Sequence, residues 1–90
     1  MKYIVVDNKL VDFSIFQQDL VSIWLEIDDE GKIKREIGFN DIGEIVHAFP
    51  SMVYKYGKYG IFDLNVFDCT NLIDDKSKID FEKEWLKISN

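Results

Sequence analysis

Two short segments of this 90-residue chain repeat one turn. Ile27-Asp28-Asp29-Glu30-Gly31-Lys32-Ile33 aligns with Phe39-Asn40-Asp41-Ile42-Gly43-Glu44-Ile45 at an offset of 12 residues. Asp and Asn bond readily to nearby backbone, and Gly takes a left-handed position without a Cβ penalty. Each segment therefore reads as a hairpin turn between two strands. Two copies are too few for a repeat architecture. They fit one turn solution used twice in an antiparallel β-meander, and most other topologies are set aside at this point.

The flanks agree. Lys32 to Phe39 alternates: Ile33, Ile37 and Phe39 share a face with Arg35, while Lys32, Lys34 and Glu36 point the other way. Residues 20–27 read as a strand, with Val21, Ile23, Leu25 and Ile27 alternating against Ser22, Trp24 and Glu26. Glu44 to Phe49 is another, ended by Pro50. Lys2 to Val6 is a β-prone run closed by an Asp7-Asn8-Lys9 turn. Residues 10–19 are open between helix, loop and strand, since Ser14 followed by Gln17 also fits a capping box. Ile61 to Phe67 reads as a further strand. The spacing predicts a helix over 79–88, capped by Asp80 or Ser77, with Phe81, Trp85 and Ile88 on one stripe. The expected fold is α+β: an antiparallel β-meander of four to five strands with a C-terminal helix packed on one face. Residues 1–90 form a single domain, and Phe81 and Trp85 would meet Ile33, Ile37 and Ile45.

Composition supports a small packed domain. Ile, Val and Leu total 25 and the aromatics 13, a supply that offsets the thin stability margin of a short chain. No apolar run approaches the ~18 residues that cross a bilayer, and the N-terminus lacks a secretory apolar core. A cytoplasmic protein without membrane contact is expected. One Cys excludes an internal disulfide framework and a multi-Cys zinc site. The net charge is −6, with ten acids and five bases in residues 1–50. Such a surface repels nucleic acid and anionic lipid, and steers basic proteins inward.

Little in the chain points to catalysis. His47, the single histidine, reads as structural on a strand face shared with Ile45 and Phe49. Cys69 has no nearby base to lower its pKa and reads as an inert thiol. Asp28-Asp29-Glu30-Gly31 lacks the alternating ligands of a calcium loop, and Asp74-Asp75 reads as a solvated connection. No cofactor or metal is expected. Tyr54 to Gly60 is the most unusual segment: its tyrosines and lysines could fold back over the sheet, contact a protein, or stack on bases.

The run Ile23-Trp24-Leu25-Glu26-Ile27-Asp28-Asp29-Glu30-Gly31, with Arg35-Glu36-Ile37-Gly38-Phe39, Gly43-Glu44-Ile45-Val46-His47, Pro50-Ser51 and Tyr59-Gly60-Ile61-Phe62-Asp63, resembles small bacterial immunity proteins. These are encoded beside polymorphic or contact-dependent toxins. The resemblance covers residues 23–63 and brings no transferable catalytic motif. It implies a cytoplasmic protein that binds one toxin domain, such as a nuclease with a basic surface, and blocks its site.

Inhibitory binding is thus the leading expectation. The candidate contacts are Glu26, Asp28, Asp29, Glu30, Tyr54, Tyr56, Tyr59 and Asp63, acids for steering and tyrosines as anchors. Two alternatives stay open: a regulatory or structural module that is a homodimer joined through a sheet edge, and a small enzyme or ligand-binding protein using carboxylates and tyrosines.

Overall fold

The computed structural model describes residues 1–9, 11–15, 19–57, 59–62, 64–68 and 73–88, with the side chains of Ser14 and Tyr54 excluded. Four strands form one antiparallel sheet in sequential order: β1 (Lys2–Asp7), β2 (Ser22–Ile27), β3 (Ile33–Phe39) and β4 (Ile45–Phe49). One helix follows, α1 (Lys78–Trp85). The meander and the C-terminal helix are those the sequence predicts.

The two turns are built alike. In the first, Asp28 Oδ1 accepts from the N–H groups of Glu30 and Lys32, both at 2.9 Å. In the second, Asn40 Oδ1 accepts from Ile42 and Glu44 at 3.2 and 2.8 Å. Each also closes with a backbone pair, Asp28 with Lys32 and Asn40 with Glu44. Gly31 and Gly43 take φ of 85° and 83°. One short polar side chain thus satisfies two turn amides in each case.

Both faces of the sheet are covered. On one, Phe81 and Ile88 pack with Tyr3, Ile37, Phe39 and Ala48, and Trp24, Ile45 and Trp85 fill the margin. On the other, Phe13, Ile61, Phe62 and Phe67 lie over Ile4, Ile23, Leu25, Ile27 and Ile33. Phe13 and Phe62 meet edge to face at 6.3 Å. Ile33 is therefore not beneath the helix, as strict alternation implies. The pairing shifts between Glu26/Ile27, where Arg35 faces Glu26 but Ile33 faces Ile27. This bulge turns Ile33 to the opposite face. A second shift, between Gly38 and Phe39, separates His47 from Ile45 in the same way.

Two further expectations change. Among the described residues of 61–67 there is no strand: Asn65 N–H closes a turn on Phe62 O at 2.8 Å, and Val66 alone of them bridges, to Lys32. The helix begins at Lys78 with both candidate caps in use. Ser77 Oγ accepts from Asp80 N–H at 3.1 Å, and the Asp80 carboxylate receives Ser77 N–H in return. Of the 10–19 stretch, Phe13–Ile15 forms a 3-10 turn, and residues 10 and 16–18 lie outside the described residues. Among the described residues, no helix is long and apolar enough to cross a membrane.

Candidate functional site

Two polar constellations occupy the two faces of the sheet. The helix-side one is centred on Arg35. Its guanidinium is bidentate to Glu26, with Nε to Oε1 at 2.7 Å and Nη2 to Oε2 at 2.6 Å. It also donates to both oxygens of Glu82 on α1, from Nη1 at 3.3 Å and from Nη2 more closely. The Phe81 and Trp85 rings each lie 4.9 Å from its central carbon. Tyr3 Oη donates to Glu26 Oε2 at 2.9 Å.

Each charge here is held in place by its partners. Burial alone would raise the Glu26 pKa, but the hydrogen bonds from Arg35 and Tyr3 outweigh it and hold the carboxyl below its usual range. Arg35 bonding likewise holds the Glu82 carboxyl down, and its bond to Glu26 is the main cause that raises Arg35 itself. Burial, then the bond to Glu26, pushes the Tyr3 phenol up to about 12. The constellation fixes α1 to β2 and β3. Glu26 is only 6% exposed and belongs to this interior network, so it does not stand with Asp28–Glu30 at the surface.

The second constellation lies on the opposite face. Glu36 is 0% exposed and His47 3%. Glu36 Oε1 lies 2.8 Å from His47 Nε2 and accepts Ile61 N–H at 2.8 Å, while Oε2 accepts Phe62 N–H at 2.7 Å. Both oxygens take backbone N–H groups, so His47 Nε2 is assigned as the donor. Gly38 makes the room, since a Cβ there would lie 2.7 Å from His47 Cβ and 2.6 Å from a Leu20 methyl. Two consecutive amides aimed at one carboxylate explain why 61–62 cannot run as a strand, whose amides alternate in direction. The pair clamps this segment to the sheet. His47 is buried against Glu36, and it keeps Phe49 and not Ile45 as its face neighbour.

The surface divides into two poles. At the first turn, every acid has a base beside it. Asp28 lies 3.6 Å from Lys34, Glu30 3.4 Å from Lys32, and Asp29 3.7 Å from the Met1 amine. Exposed Leu64 and Val66 adjoin this turn through the Lys32–Val66 bridge. The opposite pole is formed by the ends of β1 and β3, the β1–β2 connection and the second turn. In sequence these segments hold Asp7, Asp12, Asp19, Asp41 and Glu44 to one base, Lys9, a local net charge of −4 (five acids less one base) out of the chain's −6, and Asp12 has a partner of its own. Among the described residues, no ion pair joins Asp7, Asp19, Asp41 or Glu44 to a base. Ile42 stands at the tip of this turn, 74% exposed.

The tyrosine segment is split. Tyr56 is 4% exposed and sits in the helix-side core, with the Lys55 ammonium 5.0 Å from its ring centre. It is thus a core residue and not an exposed anchor. Tyr59 is exposed. The Tyr54 side chain, Asp63 and Cys69 lie outside the described residues. Of the predicted contacts, Asp28, Asp29, Glu30 and Tyr59 are at the surface, and the acids are neutralised locally. The five acids of the opposite pole were not singled out by sequence reasoning. The signal was present in the surplus of acids in residues 1–50, but only the fold gathers residues 7–19 with 41–44.

Among the described residues, no group of three His, Cys, Asp or Glu side chains is placed to hold a metal. Comparison with protein-family models, with curated proteins and with solved structures returned no match.

Proposed function

We propose that this chain is an acidic binding protein that neutralises a cognate bacterial toxin domain by covering a basic surface. The observation that carries the reading is the asymmetry of charge between the poles. One pole balances its acids with Lys32, Lys34 and the Met1 amine, while the other sets Asp7, Asp19, Asp41 and Glu44, without an ion pair among the described residues, around the exposed Ile42. A one-signed patch of this kind raises encounter rates with a basic partner by about 10- to 1,000-fold at low salt. Apolar side chains within the patch then contribute contact area once water is excluded. The resemblance over residues 23–63 points the same way. In this reading the steering belongs to Asp7, Asp19, Asp41 and Glu44, and Asp28 to Glu30 are turn residues.

The test is survival. The C-terminal region of the neighbouring upstream reading frame is expressed in a sensitive host with and without this protein, and a neighbour that is not toxic also counts against the reading. Restored growth supports neutralisation, and persistent toxicity with the protein abundant overturns it. With the purified pair, Asp19→Lys with Asp41→Lys slows association about tenfold at low salt and much less at high salt. Asp29→Lys, on the exposed side of the other turn, leaves the rate nearly unchanged.

A further inference from the structure

β1 lies at one end of the strand order, so β2 borders one of its sides only. Its other side meets residues 74–76. Tyr3 N–H donates to Asp74 Oδ1 at 2.7 Å, and Val5 N–H donates to Asp75 Oδ2 at 2.9 Å. Tyr3 C=O accepts the N–H groups of Asp75 and Lys76 at 2.8 and 3.2 Å. These outward groups are the ones another strand would use. Two side-chain carboxylates stand where the carbonyls of a neighbouring strand would be. The segment is anchored at its C-terminal end: the Lys76 ammonium sits 4.8 Å from the Trp24 ring centre, and Ser77 caps α1, which Arg35 fixes to the sheet.

We propose that Asp74 and Asp75 act as an edge guard that prevents β1 from pairing with β1 of a second copy of this chain. The strand itself indicates that occupant. Tyr3-Ile4-Val5-Val6 is uncharged, rich in β-branched residues and free of Pro and Gly, the composition that pairs with itself most readily. A twofold axis through Val5 sets Val5 opposite Val5 and Tyr3 opposite Asp7 of the second copy. Residues 3, 5 and 7 then exchange all their outward N–H and C=O groups in one antiparallel ladder. The guard occupies the Tyr3 and Val5 amides and so removes the centre of that ladder. This inference is independent of the toxin reading, because it concerns the chain alone.

Light scattering across a concentration series tests it. The unaltered chain is a monomer. Asp74→Ala with Asp75→Ala doubles the mass as concentration rises. Adding Val5→Pro to that pair restores the monomer, because Pro deletes an outward N–H that β2 does not use. Asp74→Asn with Asp75→Asn stays monomeric, since Asn keeps an acceptor oxygen at each site. A folded alanine pair that remains a monomer throughout, or an unaltered chain already paired through β1, overturns the proposal. Should the alanine pair fail to fold, hydrogen exchange on the unaltered chain decides. Tyr3 and Val5 amides as protected as those of β2 support the guard, and exchange at the rate of open edge amides overturns it.

Discussion

The two hairpin turns have the same backbone and opposite surroundings. At the first, a Cβ on Gly31 would lie 2.0 Å from Phe67 O, and Gly31 O accepts Phe67 N–H at 2.8 Å. At the second, a Cβ on Gly43 would meet nothing within 4 Å. The same glycine is thus a packing requirement in one turn and a conformational one only in the other. One turn anchors the segment that covers a face of the sheet, and the other leaves its tip to solvent beside Asp41 and Glu44, which form no ion pair among the described residues. A repeated sequence solution fixes local shape, while the use made of it depends on what the rest of the chain lays against it.

Substitutions separate these two demands. Gly31→Ala has the largest expected effect, a loss of about 3 kcal/mol or more in urea unfolding. It adds positive-φ strain of about 1–2 kcal/mol to the displacement of residues 66–67 and their hydrogen bond. Asn40→Ala removes two side-chain bonds to turn amides and lowers stability by about 2 kcal/mol. Gly43→Ala follows at about 1 kcal/mol, strain alone. Equal losses at Gly31 and Gly43 would remove the distinction drawn between the turns.

The smallest effect is one of pH. Hydrogen bonding from Lys32 N–H, joined by Glu30 N–H and Lys34, holds the Asp28 carboxyl below its usual range. A carboxyl depressed in the folded state adds stability above its unfolded pKa of about 4, and this is lost as pH falls through the lower folded value. Asn40 does the same structural work without titrating. Asp28→Asn therefore loses that small increment at neutral pH and flattens the fall in thermal stability below about pH 4. An unchanged acid limb would show that Asp28 contributes no such dependence.

The meander was legible because Asp28, Gly31, Asn40 and Gly43 impose local geometry that needs no distant partner. The bulges were not, because one extra residue leaves the alternation of Ile33 to Phe39 intact in the sequence while turning Ile33 over. Arg35 was half legible. Alternation sets it on the apolar face with Ile37 and Phe39, but the turn's own register would set Lys34 opposite Glu26, and only the bulge brings Arg35 there. Nothing local shows that Glu82 completes the set. Glu36 was least legible. A charged residue in an alternating strand reads as solvent-facing, and only the later arrival of the Ile61 and Phe62 amides makes its burial tolerable. The acidic pole was similarly hidden, since its members are brought together by the ends of strands and not by proximity in sequence.

The carboxylates at Tyr3 and Val5 have a consequence for synthesis. Every strand of the sheet precedes Asp74 and Asp75 in the chain. At about 5–20 residues per second, a ribosome releases the whole meander up to a few seconds before the residues that close its β1 edge. During that interval the edge is bare, and neighbouring ribosomes on one message hold identical strands close together. The order of the elements therefore leaves the β1 edge the last part of the sheet to be covered.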